Sequence, residues 1–420
     1  MGASKRSDRI ELYVREKYLK KMRGFYHDTE VIKVITGVRR CGKSCLMKTV
    51  MDELRRKGIS EEHLISFDLD SLQYRKVKTA DRLEELILSQ SHAEGVKYLF
   101  IDEIQNVAGF EEVVNAFRED GNYSIFITGS NSYLLSGELV TKLTGRYIEF
   151  EMFPLTFDEY LDMKAFYGKP VNANLIAELN SYLQEGGFPK TMQYDDFADK
   201  RTYVKSVIDE IFEKDIRRRL KIRNVEAFNN VRSFIINNFG ATMSIQSLQA
   251  ALEKNGIAVK RSTLTRYIEA LVQSKILYRC DRFDMKLKKS LGGEKKYYLA
   301  DTSFYFSTNT DNRINYGPAL ENMVYLYARS FDYSVSVGRI GKLECDFILR
   351  DNSLNYAYVQ VAYTIGESKA TEDREYAPLE MIKDNYPKFV LTTDYLLQKR
   401  SGIRHLNLLE FMRTQKGFSD

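Results

Sequence analysis

Short apolar runs rich in β-branched and aromatic residues alternate with helically spaced apolar positions through the first third of the chain. Residues 32–35, 96–101 and 124–128 read as buried strands, and residues 45–50 carry the periodicity of a helix. Strand, loop and helix in that order predict a parallel α/β sheet, in which ligands gather at the carboxyl ends of the strands. The pattern changes from Val225 to about Thr302. Val231, Phe234, Ile235 and Phe239 share one helical face, Ile245, Leu248 and Leu252 a second, and Leu264, Tyr267, Ile268 and Leu271 a third. A strand at residues 276–280 follows, and Gly292-Gly293 turns one basic strand into another. Three helices and a hairpin describe a winged helix. Farther on, a helix carrying Leu320, Val324, Tyr325 and Ala328 precedes strands at 333–337, 345–349 and 356–362. The pattern divides the chain into a core over residues 1–165, a helical lid or linker over 166–224, a winged-helix module over 225–305 and an α/β domain over 306–420.

The first strand runs straight into Gly37-Val38-Arg39-Arg40-Cys41-Gly42-Lys43-Ser44, a GxxxxGKS loop, and then into the helix. Gly37 and Gly42 let the backbone curl, so that successive N–H groups and the helix N-terminus converge on phosphate oxygens. The cradle comprises Gly37, Arg39, Arg40, Cys41, Gly42, Lys43, Ser44 and Cys45. Lys43 is placed to reach the β- and γ-phosphates of ATP, and Ser44 to give its hydroxyl to Mg²⁺. The strand at 96–101 ends in Asp102-Glu103, at the edge where ligands collect. Asp102 is expected to hold the magnesium, and Glu103 to polarise the attacking water, which makes ATP hydrolysis the expected reaction. A third strand stops at Gly129-Ser130-Asn131, and either Ser130 or Asn131 suits a sensor of the γ-phosphate. Arg146, after the Gly145 turn, offers a cation to the transferred phosphoryl group, in trans only if subunits assemble into a homo-oligomer.

The succession GxRRxGKS, FIDEIQ, ITGSNS, TGR and Phe153-Pro154-Leu155-Thr156-Phe157-Asp158-Glu159-Tyr160, with the later turn Glu185-Gly186-Gly187-Phe188-Pro189, resembles a family of prokaryotic AAA-superfamily P-loop ATPases. Their C-terminal half ends in a restriction-endonuclease-like domain. The resemblance implies an AAA-type P-loop core with a parallel sheet, then the winged-helix module, then an α/β restriction-endonuclease-like domain. In the PD-(D/E)XK nuclease layout a helix glutamate, a strand aspartate and a D/E-x-K tripeptide build a metal site. Glu321 and Asp346 match the first two positions, but Gln360-Val361-Ala362 stands where the tripeptide belongs. Glutamine is a weak neutral ligand and alanine cannot assist a water, so the domain is expected to bind or pack rather than cut, with Glu344 and Lys342 close enough in sequence to compensate in part.

Charge enters only locally. The formal net charge of +5, from 63 basic against 58 acidic residues, is too small to indicate a nucleic-acid partner by itself. The third winged-helix helix nevertheless opens with Lys260, Arg261, Ser262, Thr263, Thr265 and Arg266, and the hairpin adds Lys286, Lys288, Lys289, Lys295 and Lys296. These are the donors that double-stranded DNA would use, although the same module serves equally as an interdomain lid or a site for a protein partner. A denser cluster, Lys214, Arg217, Arg218, Arg219, Lys221 and Arg223, lies on the linking segment. Four cysteines without CxxC spacing exclude a zinc ribbon, and no segment has the length of a membrane span or the pattern of a signal peptide, so a cytoplasmic protein without a membrane partner is expected. Three functions fit: ATP hydrolysis coupled to conformational control of a DNA or protein interaction, a sensor of nucleotide occupancy with little turnover, or an ATP-gated nuclease.

Overall fold

The computed structural model describes residues 11–129, 143, 145–217, 222–287, 289–309 and 313–418. The chain divides into two compact units. One contains the chain up to Thr36 together with Gly42–Met152, and the other contains Gly37–Cys41 and everything from Phe153 onward.

The first unit is an α/β layer structure. Its strands are β1 (Ile32–Gly37), β2 (Leu64–Asp68), β3 (Lys97–Asp102), β4 (Tyr123–Thr128) and β5 (Tyr147–Met152). They are ordered β2-β3-β4-β1-β5, with parallel pairing between β2 and β3, β3 and β4, and β4 and β1. Every residue of β1 and β4 is buried, which explains why these strands read as continuous apolar runs rather than as alternation. Val34, Ile65, Phe67, Leu99, Ile101, Ile125 and Ile127 fill one face against the helices Ala80–Leu88 and Phe110–Glu119. On β3 and β4, Phe100 and Phe126 stack with ring centroids 4.7 Å apart. Lys33 is fully buried on β1, where its ammonium donates to the carbonyls of Asp28 and Val31 and to Ser124 Oγ. Burial pulls its pKa down to about 7, and the opposing charge of Asp28 only partly offsets it.

The second unit begins with helices whose starts are written in the sequence. Thr156 and Glu159 form a capping box, and Asn174, Asp196, Asn224 and Ser244 each accept a backbone N–H at a helix N-terminus. The helix Phe197–Ile211 runs into a π-helical turn, Phe212–Arg217. Three helices form where three apolar helical faces were read, at Val225–Asn237, Ile245–Lys254 and Arg261–Gln273. The hairpin β7 (Leu277–Asp284) and β8 (Lys289–Leu299) is not a separate wing: with β6 (Thr242–Met243) it extends a nine-stranded sheet. The other strands are β9 (Ser334–Ile340), β10 (Leu343–Arg350), β11 (Tyr356–Val361), β12 (Lys388–Thr392), β13 (Lys399–Arg400) and β14 (Ile403–Asn407), in the order β13-β14-β12-β11-β10-β9-β7-β8-β6. The join is the parallel pairing of β7 with β9. The Gly186-Gly187 turn is fixed by the fully buried Asp301, which accepts from Gly187 N at 2.6 Å and from Ser303 N at 2.9 Å. A Cβ on Gly187 would run into the Leu155 carbonyl, so the turn requires glycine there. Among the described residues no helix is long and apolar enough to cross a membrane, and all four cysteines are free thiols.

Candidate nucleotide site

β1 delivers the chain into the Gly37–Ser44 loop, where Gly37, Arg40 and Gly42 all have positive φ, at 142°, 69° and 111°. Glycine adopts such angles without strain, whereas Arg40 needs its surroundings to hold it. Gly42 caps the Lys43–Arg56 helix, and its carbonyl accepts from Leu46 N at 2.9 Å. Lys43, the first residue of that helix, is only 5% exposed, Cys41 is buried, Ser44 half-buried and Cys45 exposed. An ammonium, a hydroxyl and a helix N-terminus are thereby collected at the carboxyl end of β1, a donor set suited to polyphosphate.

The acid pair lies two strands away, with β4 between. The register puts Ile101 beside Ile127, so Asp102 follows at the edge next to Thr128. Thr128 Oγ1 donates to Asp102 Oδ1 and accepts from the backbone N–H of Glu103 at 3.0 Å, so one hydroxyl fixes both acids. Glu103 has left-handed backbone angles, φ 55° and ψ 46°, which turn the chain out of β3 into the short helix Ile104–Asn106. Gln105 Nε2 donates to Glu103 Oε2. Asp102 and Ser44 are hard oxygen donors at the carboxyl ends of β3 and β1, and Glu103 follows Asp102 with its carboxylate bonded to Gln105.

The remaining expected site residues are placed differently. Ser130 and Asn131 lie outside the described residues. The Arg146 carbonyl accepts from Ile32 N at 2.9 Å, which puts Arg146 at the start of β1, whereas the loop departs from its end. Five residue steps of strand separate the two, about 17 Å at the usual rise. The Arg146 guanidinium donates to Asn115 Oδ1 at 3.1 Å. Arg39 and Arg40 bond carboxylates of the unit they themselves belong to: Arg39 bonds both oxygens of Asp215, at 3.1 and 3.0 Å, and Arg40 bonds Glu210 at 3.1 and 3.2 Å. Thr128, Gln105, Glu210 and Asp215 went unread in the sequence. Thr128 had a legible signal, as a polar residue closing an otherwise apolar strand, but attention falls naturally on the small residues after it.

The basic surface expected over residues 260–296 is partly kept. Lys260, Arg261, Ser262, Thr265, Arg266, Lys286 and Lys289 are exposed. Lys295 pairs with Asp281 at 3.0 Å, Lys288 lies outside the described residues, and Lys296 turns inward. Of the linker cluster, Lys214 bonds Glu210 and Arg217 bonds Glu213, while Arg218, Arg219 and Lys221 lie outside the described residues.

Lys296 enters the polar cluster of the C-terminal domain. Its Nζ lies 3.0 Å from Glu321 Oε2 and 2.9 Å from Glu344 Oε1, and Tyr298 OH donates to the same Glu321 oxygen at 3.0 Å. Burial works against the ammonium, but the charges of Glu321, Asp346 and Glu344 outweigh it and hold its pKa above the ordinary lysine value. Asp346 sits where β9 and β10 slip register, between Cys345 and Ile348, and its Oδ2 accepts from Val361 N at 2.8 Å. Burial, then the Glu321 charge, pushes its carboxyl well above the usual aspartate range. Gln360 accepts from Asp346 N and donates to Glu375 at 2.8 Å. Among the described residues no group of three or more histidine, cysteine or acidic side chains is arranged to hold a metal.

Residues 29–161 match the family model described as an AAA domain, and residues 176–312 match a domain of unknown function, DUF8612. Among solved structures, a Walker-type ATPase of Pyrococcus abyssi aligns over 71% of this chain and 96% of its own at 17% identity, TM-score 0.49. AMPPCP-bound DnaA from Aquifex aeolicus aligns over 62% and 87% at 14% identity, TM-score 0.31. An uncharacterized protein of Haemophilus influenzae is 34% identical over 95% of this chain and 98% of its own. One of Methanocaldococcus jannaschii is 31% identical over 84% and 79%. A likeness that spans almost the whole length of both chains places this protein in the family of the Haemophilus influenzae protein, as a member whose residues 29–161 match the AAA domain model.

Proposed function

We propose that the chain binds ATP with Mg²⁺ and hydrolyses it, and that this cycle controls a DNA or protein interaction of the later domains. The observation that carries the reading is the Thr128 hydroxyl, which bonds Asp102 and the Glu103 backbone together at the sheet edge where the Gly37–Ser44 loop also departs. In this reading the loop N–H groups and Lys43 bind the phosphates, Ser44 and Asp102 hold the magnesium, and Glu103 accepts a proton from the attacking water. Bound Mg²⁺ supplies charge neutralisation on the phosphate oxygens. Titration of Lys43→Ala with ATP and Mg²⁺ tests it: affinity should fall by tenfold to roughly a hundredfold, the loss of one or two charge-assisted bonds. Affinity equal to that of the parent chain would remove the foundation.

The exposed cations Lys260, Arg261 and Arg266 at the Arg261–Gln273 helix, with Lys286 and Lys289 at the turn between β7 and β8, favour duplex DNA as the partner, because they can meet phosphates. ATP turnover should then rise with duplex DNA at low salt and lose that rise as salt increases. Stimulation that is absent at low salt as well would favour a protein partner. Gln105's bond to Glu103 supports a second reading, an occupancy sensor with slow turnover, since the acid is already held by a neighbour. Neither reading needs a membrane, and Arg146 acts on phosphate only if a second copy of the chain brings it to this site.

A further inference from the structure

Both arginines of the phosphate loop are engaged by carboxylates far away in sequence, and we infer that Asp215 and Glu210 are positioning residues of the nucleotide site, acting through Arg39 and Arg40. The inference rests on the ATPase reading above. Arg39 is 8% exposed and makes a two-pronged bond to Asp215, itself 8% exposed, while its third nitrogen lies 3.8 Å from Glu210. A buried guanidinium and carboxylate keep this arrangement only because each satisfies the other's charge and geometry. Arg40 is held in left-handed backbone by a second two-pronged bond, to Glu210, which also takes the Lys214 ammonium at 2.8 Å.

The consequence is for the backbone between the two glycines. Gly37 and Gly42 let that loop curl, and the same freedom would let it take other shapes when no phosphate is bound. Two planar forks anchored on rigid helix remove that freedom in advance: Glu210 belongs to the Phe197–Ile211 helix and Asp215 to the π-turn that continues it. Residues Gly37–Cys41 belong to the same compact unit as both acids. A loop ordered beforehand gains affinity for its ligand rather than rate in the chemical step. The arrangement also takes Arg39 and Arg40 out of the set of phosphate ligands and leaves that task to Lys43 and the backbone.

Steady-state kinetics and binding of a non-hydrolysable ATP analogue to full-length Asp215→Asn and Glu210→Gln test this. The KM for ATP and the analogue's dissociation constant should each rise about tenfold, with kcat within about threefold of the parent. Asp215→Glu should recover most of the affinity, and so in part should the exchange of Arg39→Asp with Asp215→Arg. Unchanged or lowered KM values would overturn the inference, and lowered values would mean that the arginines are phosphate ligands restrained by their acids. Should Asp215→Asn fail to fold, Glu210→Gln decides, because its partner Arg40 has a side chain 55% exposed and the pair can be broken at the surface. Parent-like ATP affinity in Lys43→Ala would instead remove the ATPase reading and this inference with it.

Discussion

Two groups of acids stand where a metal comes into question, the pair Asp102-Glu103 expected to serve Mg²⁺ and the set around Glu321 and Asp346 expected to pack rather than cut, and the molecule treats them in opposite ways. At the first, Asp102 is half-buried and fixed by the Thr128 hydroxyl, a partner that orients a carboxylate without bringing a counter-charge. At the second, Glu321 and Glu344 share the Lys296 ammonium, and Asp346 is buried between a slipped strand pair and the Val361 N–H. A cation arriving at the first group meets oriented oxygens, whereas one arriving at the second must displace a lysine that is already there. The same residue types are therefore open to a cation in one place and a closed ion-pair network in the other, and the nature of the partner makes the difference.

The largest expected effect breaks the comparison at its first member. Glu103→Gln should lower ATP turnover by about 10²- to 10⁴-fold with ATP binding retained, the range for removing a general base. Turnover that survives would mean that the acid held by Gln105 takes no part in the reaction, and the occupancy-sensing reading would replace hydrolysis. At the second member, Lys296→Met removes the cation from beneath two carboxylates and should destabilise the protein by roughly 3–5 kcal/mol, as for other buried pairs that lose one partner. Urea unfolding measures it. Adding Glu321→Gln should restore part of the loss, because the deficit comes from the stranded charge rather than from the missing side chain. A Lys296→Met protein with the parent's unfolding midpoint would show that the cluster is solvated and open to a cation after all.

The placement of the first group at one sheet edge was readable from the sequence, whereas of the second only the acids were and not the lysine that closes it, for a physical reason. Gly37, Gly42, Lys43, Ser44, Asp102 and Glu103 are local: their roles follow from a turn, a helix start and a strand end within a few residues, and the chain's own geometry brings them to one edge. The parallel sheet was legible in the same way, from buried apolar runs. Lys296 was not, because Lys295-Lys296-Tyr297-Tyr298 offers no contrast between faces. Strand alternation sends Lys295 to Asp281 and Lys296 to Glu321, but nothing in the composition says which goes where. The continuity of the hairpin with the C-terminal sheet, which makes the inward lysine necessary, depends on β7 meeting β9, a pairing across more than fifty residues. Asp215 is hidden for the same reason, 176 positions from the arginine it holds.

Partner and burial change together between the two groups, and Asp301 separates them. It is fully buried like Asp346 but has only neutral donors, the N–H groups of Gly187 and Ser303 and the Ser303 hydroxyl. Burial raises its carboxyl to about 6 and these hydrogen bonds oppose the rise without cancelling it. The folded state therefore holds a proton between about pH 4 and pH 6 that the unfolded chain releases. Its contribution to stability is fully present below the unfolded value and is lost as pH rises through 6, a swing of about 2–3 kcal/mol. Asp301→Asn removes the titration while keeping the shape, so the parent protein should gain on the variant as pH falls from 7 toward 4, in urea midpoints measured pairwise at each pH. If the difference between the two proteins stays constant across that window, neutral hydrogen bonds alone suffice to keep a buried carboxylate charged. The contrast between Asp102 and Asp346 would then rest on the lysine and its neighbouring acids rather than on burial.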